Sequence, residues 1–196
     1  MGLSIHYSGR FNPQTSLKEM IEEVKDIAEI YNWQYTIFDE QFPTNEFDIE
    51  SYTDIIYGIN FTPPDCETIN LCFLSNGRMS SPAHLKFFGN SADEDYKKYL
   101  YSLSVKTQFA GINIHKLVIH LLKYLSEKYF REFEVIDEGQ YWETNDDKLL
   151  EETFRRYDYL LDSVGLALEN IPIEPDETFE EYFQRILKII YGKRDR

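Results

Sequence analysis

The chain has 196 residues, 42% of them apolar and 28% charged, a composition of ordinary globular chains that excludes collagen-like, low-complexity and membrane-spanning classes. Its formal net charge of −15 repels phosphate backbones and anionic bilayers at long range. That argues against nucleic-acid and membrane-surface binding and favours a basic or neutral protein partner.

No run approaches the roughly 18 apolar residues of a spanning helix, and MGLSIHYSGRF lacks the basic flank and long apolar stretch of a secretion signal. A cytoplasmic location is expected. At this length about 70% of the extended-chain surface is buried on folding, enough for one domain over residues 1–196. It divides into a sheet-forming body, 1–145, and a helical pair, 146–191.

In chain order, Leu3, Ile5 and Tyr7 alternate with Ser4 and His6 as in a half-buried strand. Ser16 and Glu19 form a capping box, and Leu17, Met20, Ile21, Val24, Ile27, Ala28 and Tyr31 give the helix behind it one apolar face. WQYTIF reads as a second strand. An acidic loop without a basic residue, 39–54, leads to a third strand, IIYGINF, and Pro63 and Pro64 close it. ETINLCFL follows, and Asn76-Gly77 supplies the left-handed backbone of a hairpin turn with RMS returning after it. Residues 82–97 show no period and read as a loop anchored by Phe87 and Phe88.

The alternation in YLYSLSVKTQF, 99–109, predicts a long strand with one dry side. A helix over 113–130 follows, striped by Ile114, Leu117, Val118, Leu121, Leu122, Leu125 and Tyr129; EFEVI reads as a strand. Two further helices carry apolar stripes, the second opened by a Thr178–Glu181 capping box. The whole is α+β, an antiparallel or mixed sheet of about six strands with amphipathic helices on one face and a C-terminal helical pair. Exposed sheet edges would permit pairing between copies of the chain.

The richest stretch for function is FEVIDEGQYWETNDDKLLEE. Residues 137–152 hold seven carboxylates and one lysine around Tyr141 and Trp142. Acids in a first helical turn are favoured by its free N–H groups, which accounts for Asp146, Asp147, Glu151 and Glu152 without a ligand. Asp137, Glu138 and Glu143 remain. With Tyr141 and Trp142 as rigid contact area, Glu138 and Glu143 suit a docking rim for a basic protein, the role of an adaptor, inhibitor or chaperone.

The alternative is a small metal-assisted hydrolase using Asp137, Glu138, Glu143 and His6, since His6 titrates near neutral pH and lies on the wet side of the first strand. A third reading is a small-ligand-binding protein. No metal or cofactor is expected, because the spacings of calcium loops, nucleotide fingerprints, zinc helices and nucleophile elbows are all absent.

His115 and His120 are five residues apart on one helix, so they diverge by about 140° and read as solvent-facing or boundary residues. Cys66 and Cys72 in one extended run would stand about 20 Å apart, which leaves two free thiols. The terminal YGKRDR carries three bases and one acid, too small a patch for a nucleic-acid site.

Overall fold

A computed structural model describes residues 2–43, 47 and 49–192. Met1, residues 44–46 and 48 of the acidic loop, and residues 193–196 lie outside the described residues. The chain divides into two compact units, residues 1–150 and 151–196.

The first unit is α+β, with seven strands among the described residues in two antiparallel sheets where a single sheet of about six strands is expected. One sheet has the order β6-β1-β7, from Leu103–Lys106, Ser4–Phe11 and Phe130–Asp137. The other has the order β2-β3-β4-β5, from Gln34–Ile37, Tyr57–Thr62, Ile69–Phe73 and Met79–Ser80. The division originates in β1. Its pairing with β7 shifts register between Ser8 and Arg10, where Glu132 of β7 takes a left-handed φ of 53°, and such a bulge bends a strand away from its sheet. The bent end meets the second sheet through an isolated bridge, Arg10 to Arg78, and through the Phe11 N–H, which donates to the Gly77 carbonyl at 2.8 Å.

Aromatic rings pack together at this junction. Phe11 lies 5.3 Å from Phe73 and 5.4 Å from Phe42 between ring centres, and Phe42 is 4.7 Å from Phe47 in an edge-on contact. Tilted and edge-on pairs are the geometry that ring quadrupoles favour. A second tie is polar: the Tyr7 hydroxyl donates to the Asn70 carbonyl at 3.1 Å and accepts from the Asn70 N–H at 3.0 Å, linking β1 to β4. Burial pushes the phenol pKa far above its ordinary value, so it remains a donor.

Helix α1, Leu17–Ile30, is capped by Ser16, whose hydroxyl accepts from the Glu19 N–H at 3.2 Å. It buries Leu17, Met20, Ile21, Val24 and Ala28 and packs against β2 and β3. The Asn76-Gly77 turn closes the β4–β5 hairpin, with Gly77 at φ 75° and the Leu74 N–H donating to the Arg78 carbonyl at 3.0 Å.

Two segments depart from expectation. Residues 82–97 contain helices α2, Pro82–Phe88, and α3, Glu94–Lys97, both too short to show a helical period. Ser81 caps α2 through the His84 N–H, with Pro82 in the first turn, a helix-start signal legible in Ser-Pro. Of the two expected anchors, Phe87 is 71% exposed, whereas Phe88 is half-buried with its ring 5.6 Å from His84 and 5.8 Å from Tyr99. The long strand over 99–109 is reduced to β6, because β1 offers it only Ser4 to Tyr7 as partners; Lys98–Tyr101 winds into a 3-10 turn and Phe109 is exposed.

Helix α4, Gly111–Tyr129, packs against β7 with Val118, Ile119, Leu122 and Leu125 buried. A short helix α5, Tyr141–Thr144, follows β7, and α6, Asp147–Asn170, opens with Asp146 accepting from the Lys148 and Leu149 N–H groups. Those bonds make Asp146 the helix cap.

In the second unit, α6 and α7, Phe179–Gly192, bury Tyr182, Ile186 and Ile190 against Leu160, Val164, Ala167 and Ile171. Thr178 and Glu181 form the expected reciprocal capping box, with N–H to side-chain bonds of 2.9 and 3.3 Å. The connection is clamped by Arg185, which donates to both Glu177 carboxylate oxygens at 2.8 and 2.7 Å and holds the Glu177 pKa down at about 2. Among the described residues no helix is long and apolar enough to cross a membrane.

Candidate functional site

The acidic stretch begins where β7 ends, and alternation along the strand sends its side chains to two faces. Asp137 points to the α4 side and is 5% exposed. Its Oδ1 accepts from the Gly139 N–H at 2.7 Å; its Oδ2 accepts from the Tyr141 and Trp142 N–H groups at 2.7 and 3.0 Å. The His115 Nε2 lies 3.1 Å from Oδ1, and its Nδ1 lies 2.7 Å from the Thr107 hydroxyl. Burial alone would raise the Asp137 pKa; the hydrogen bond and charge of His115, with the Trp142 and Gly139 N–H groups, outweigh it and hold the carboxyl below its ordinary range.

Hydroxyl, imidazole and carboxylate in series are the parts of a covalent acyl-transfer centre. Here they serve another purpose. His115 and Thr107 are both 0% exposed, and no substrate carbonyl reaches a hydroxyl sealed in this way. The network ties the end of β6, the first turns of α4 and the loop after β7 into one buried staple. His115 therefore corrects the reading of a solvent-facing or boundary residue: it stands at the edge of the apolar stripe, as its spacing indicates, and polar partners from distant segments allow it to be buried. Gly139 fits against the ring, where an added Cβ would lie 2.8 Å from His115 Nε2.

Glu138 turns to the other face. It accepts from the Ser4 N–H at 2.7 Å, and its second oxygen is 3.7 Å from His6 Nε2. The structure thus brings His6 and Glu138 together and separates both from Asp137, while Glu143 stands exposed on α5. Among the described residues no group of three or more His, Cys, Asp or Glu side chains is placed to hold a metal.

The aromatic pair divides in the same way. Tyr141 is 5% exposed, its ring 5.7 Å from His120 and 5.4 Å from the Lys116 ammonium. Trp142 is half-buried, edge-on to Phe133 at 6.0 Å with the Lys123 ammonium 5.4 Å from its ring. Both rings belong to the packing between α4 and the loop after β7. Tyr141, Trp142, Glu138 and Glu143 consequently do not form one continuous rim.

The exposed apolar residue of this region is Ile136, 69% exposed on the same face as Glu138. Register places it beside His6, which pairs on its other side with Ser104, and places Glu134 beside Ser8. The open face of the β6-β1-β7 sheet is therefore a polar surface with one aliphatic side chain between Glu134 of β7 and Glu138 just past its end. The alternation of EFEVID contains that signal, since Glu132, Glu134 and Ile136 are exposed between the less exposed Phe133, Val135 and Asp137. Comparison with protein-family models, with curated proteins and with solved structures finds no match to this chain.

Proposed function

We propose that the chain is a noncatalytic binding domain that holds a basic polypeptide on the open face of the β6-β1-β7 sheet. Ile136 carries the reading: a large aliphatic side chain 69% exposed on a strand whose alternate residues face the interior. Burying such a side chain under a partner contributes about 1.5–3 kcal/mol, roughly a ten- to hundredfold gain in affinity. Glu134 and Glu138 flank it, and with the chain's charge of −15 they select a basic partner and accelerate its approach. The sealing of Thr107, His115 and Asp137 supports a role without catalysis.

The test compares wild type with Ile136→Ser and with the double variant Glu134→Lys/Glu138→Lys. Complexes recovered gently from source cells are weighed by native mass spectrometry, and an extended peptide alternating lysine and valine is titrated against each protein. A stoichiometric polypeptide and a salt-sensitive peptide affinity, both lost in the two variants while the folded spectrum is kept, are the expected results. Binding that survives both variants unchanged refutes the assignment.

A further inference from the structure

The edge of a β-sheet offers unpaired main-chain groups to another strand, and proteins blunt such edges with charge, bulges, shortness or cover. In the first unit most edges are blunted in this way. Strand β5 is only Met79 and Ser80. Strand β6 is covered at Lys106, whose N–H donates to the Glu67 carboxylate at 2.8 Å and whose carbonyl accepts from the Glu67 N–H at 3.4 Å. Strand β7 carries Arg131, Glu132 and Glu134 and is bent by its bulge. Strand β2, the outer strand of the other sheet, has none of these devices. Residues 30–38, IYNWQYTIF, hold no charged side chain.

The main chain of β2 is set for a partner. The Phe38 N–H donates to the Gly58 carbonyl at 2.9 Å, and Gln34 and Thr36, in phase with it, face β3 as well. Tyr35 and Ile37 therefore direct their N–H and C=O groups to the open edge. A second β2 laid antiparallel, with a two-fold axis at Thr36, sets Tyr35 against Ile37 of the second copy and Ile37 against its Tyr35. Each pair exchanges both main-chain hydrogen bonds and joins an aromatic to a β-branched side chain, all of them half-buried beforehand. The acids after the strand do not collide. Asp39 falls opposite Trp33 of the second copy, and the two Asp39 residues stand about 20 Å apart, well beyond the screening length of about 8 Å. Glu40, which lines the same groove as Lys18, falls opposite Asn32.

Helix α1 supplies the second match. Its β2 side is marked by Glu29, which accepts from the Tyr35 hydroxyl at 2.8 Å, and its other side by Glu23, held by Tyr124 and Lys128 of α4. Helical spacing brings Lys18, Glu22 and Lys25 into line with Glu29 on the β2 side, while Glu19 and Asp26 point away from the sheet, opposite the buried Leu17, Val24 and Ala28. This stripe is neutral in a chain of −15, and Lys25 lies 3.6 Å from Glu29. It is also its own complement: run against a reversed copy, Lys18 meets Glu29 and Glu22 meets Lys25. The midpoint of the stripe falls at Glu23 and Val24. The strand from Trp33 to Thr36 covers about 10 Å, the rise of six to seven helical residues, and counting back from Ile30 by that length reaches the same level. One axis through Thr36, perpendicular to the sheet, thus matches both the strands and the helix charges.

We infer that the chain forms a two-fold homodimer through β2 and the Lys18–Glu29 side of α1, which joins the two four-stranded sheets into one. This edge lies on the sheet that does not carry Ile136, so neither this dimer nor the binding of a basic polypeptide depends on the other.

The experiment is sedimentation equilibrium of the full chain at physiological salt. One short strand and one helix stripe make a small interface, so a dimer with Kd of about 1–100 µM is expected. Thr36→Lys sets two ammonium groups against each other at the axis and should weaken the dimer at least about tenfold, with far-ultraviolet circular dichroism unchanged. Lys18→Glu/Lys25→Glu and Glu22→Lys/Glu29→Lys should each weaken it by a similar factor, and an equal mixture of these two variants should recover a dimer of both chains. Should Thr36→Lys fail to fold, the mixing experiment decides. A chain that stays monomeric at about 500 µM, a dimer indifferent to Thr36→Lys, or a mixture that recovers no dimer overturns the inference.

Discussion

Replacing Asp137 with alanine tests the buried staple most directly. The carboxylate accepts three main-chain N–H bonds of 2.7, 2.7 and 3.0 Å and faces the His115 Nε2 at 3.1 Å. Alanine removes every acceptor at once and leaves the Gly139 and Tyr141 N–H groups buried with nothing in their place. Removing one partner from a buried charged network costs about 3–5 kcal/mol, which for a chain of this size lowers Tm by roughly 6–20 °C. Asparagine keeps the shape and one acceptor oxygen, so Asp137→Asn should cost about 1–3 kcal/mol. Urea unfolding followed by tryptophan fluorescence measures both, since Trp142 is bonded directly to this carboxylate.

The pH dependence has a defined sign. The folded pKa of Asp137 lies below the ordinary value of about 3.9, so the unfolded chain takes up the proton first as pH falls. The contribution is complete above about pH 5 and declines as pH drops through the folded pKa. Wild type should therefore lose more stability than Asp137→Asn over that interval. A loss below about 0.5 kcal/mol for Asp137→Ala, or identical acid profiles, would refute the staple as a source of stability.

Gly77→Ala places a Cβ 2.7 Å from the Phe47 ring at a φ of 75°, and should cost about 1–3 kcal/mol in the same unfolding assay; a neutral result contradicts the turn geometry. Burial pushes the Cys66 thiol up to about 11 and Cys72 further, so at pH 8 Cys66 should react with a thiol reagent roughly 200-fold more slowly than free cysteine. Both should react at the free rate in urea. Rapid modification of the folded protein would show that the thiols are not enclosed.

Much of the α+β architecture is legible in local pattern, because it is encoded by neighbours a few residues apart. Leu17, Met20, Ile21, Val24 and Ala28 repeat at helical spacing, Asn76-Gly77 supplies a turn without strain, and Thr178 with Glu181 closes a cap within one helical turn. The partition into two sheets is a different matter. It depends on a bulge at Ser8 to Arg10 and on which strands β1 selects, information carried by pairings about a hundred residues apart. The same limit governs the site. Asp137 and Glu138 adjoin in sequence and face opposite ways, whereas Thr107, His115 and Asp137 converge from three segments. Composition identified an acidic aromatic stretch, but burial determined that Tyr141 belongs to packing.

The position of β1 also bears on how the chain is made. It is the middle strand of its sheet, yet both partners follow it at long range: Ser4 pairs with Lys106, and Ile5 with Asp137. At synthesis rates of about 5–20 residues per second, roughly 7–26 s separate the appearance of Ile5 from that of Asp137. Until Leu103–Lys106 emerges, Leu3, Ile5 and Tyr7, all buried in the finished fold, have no native strand beside them. Slow codons placed between residues 11 and 103 would lengthen that exposure without altering a single contact of the native protein.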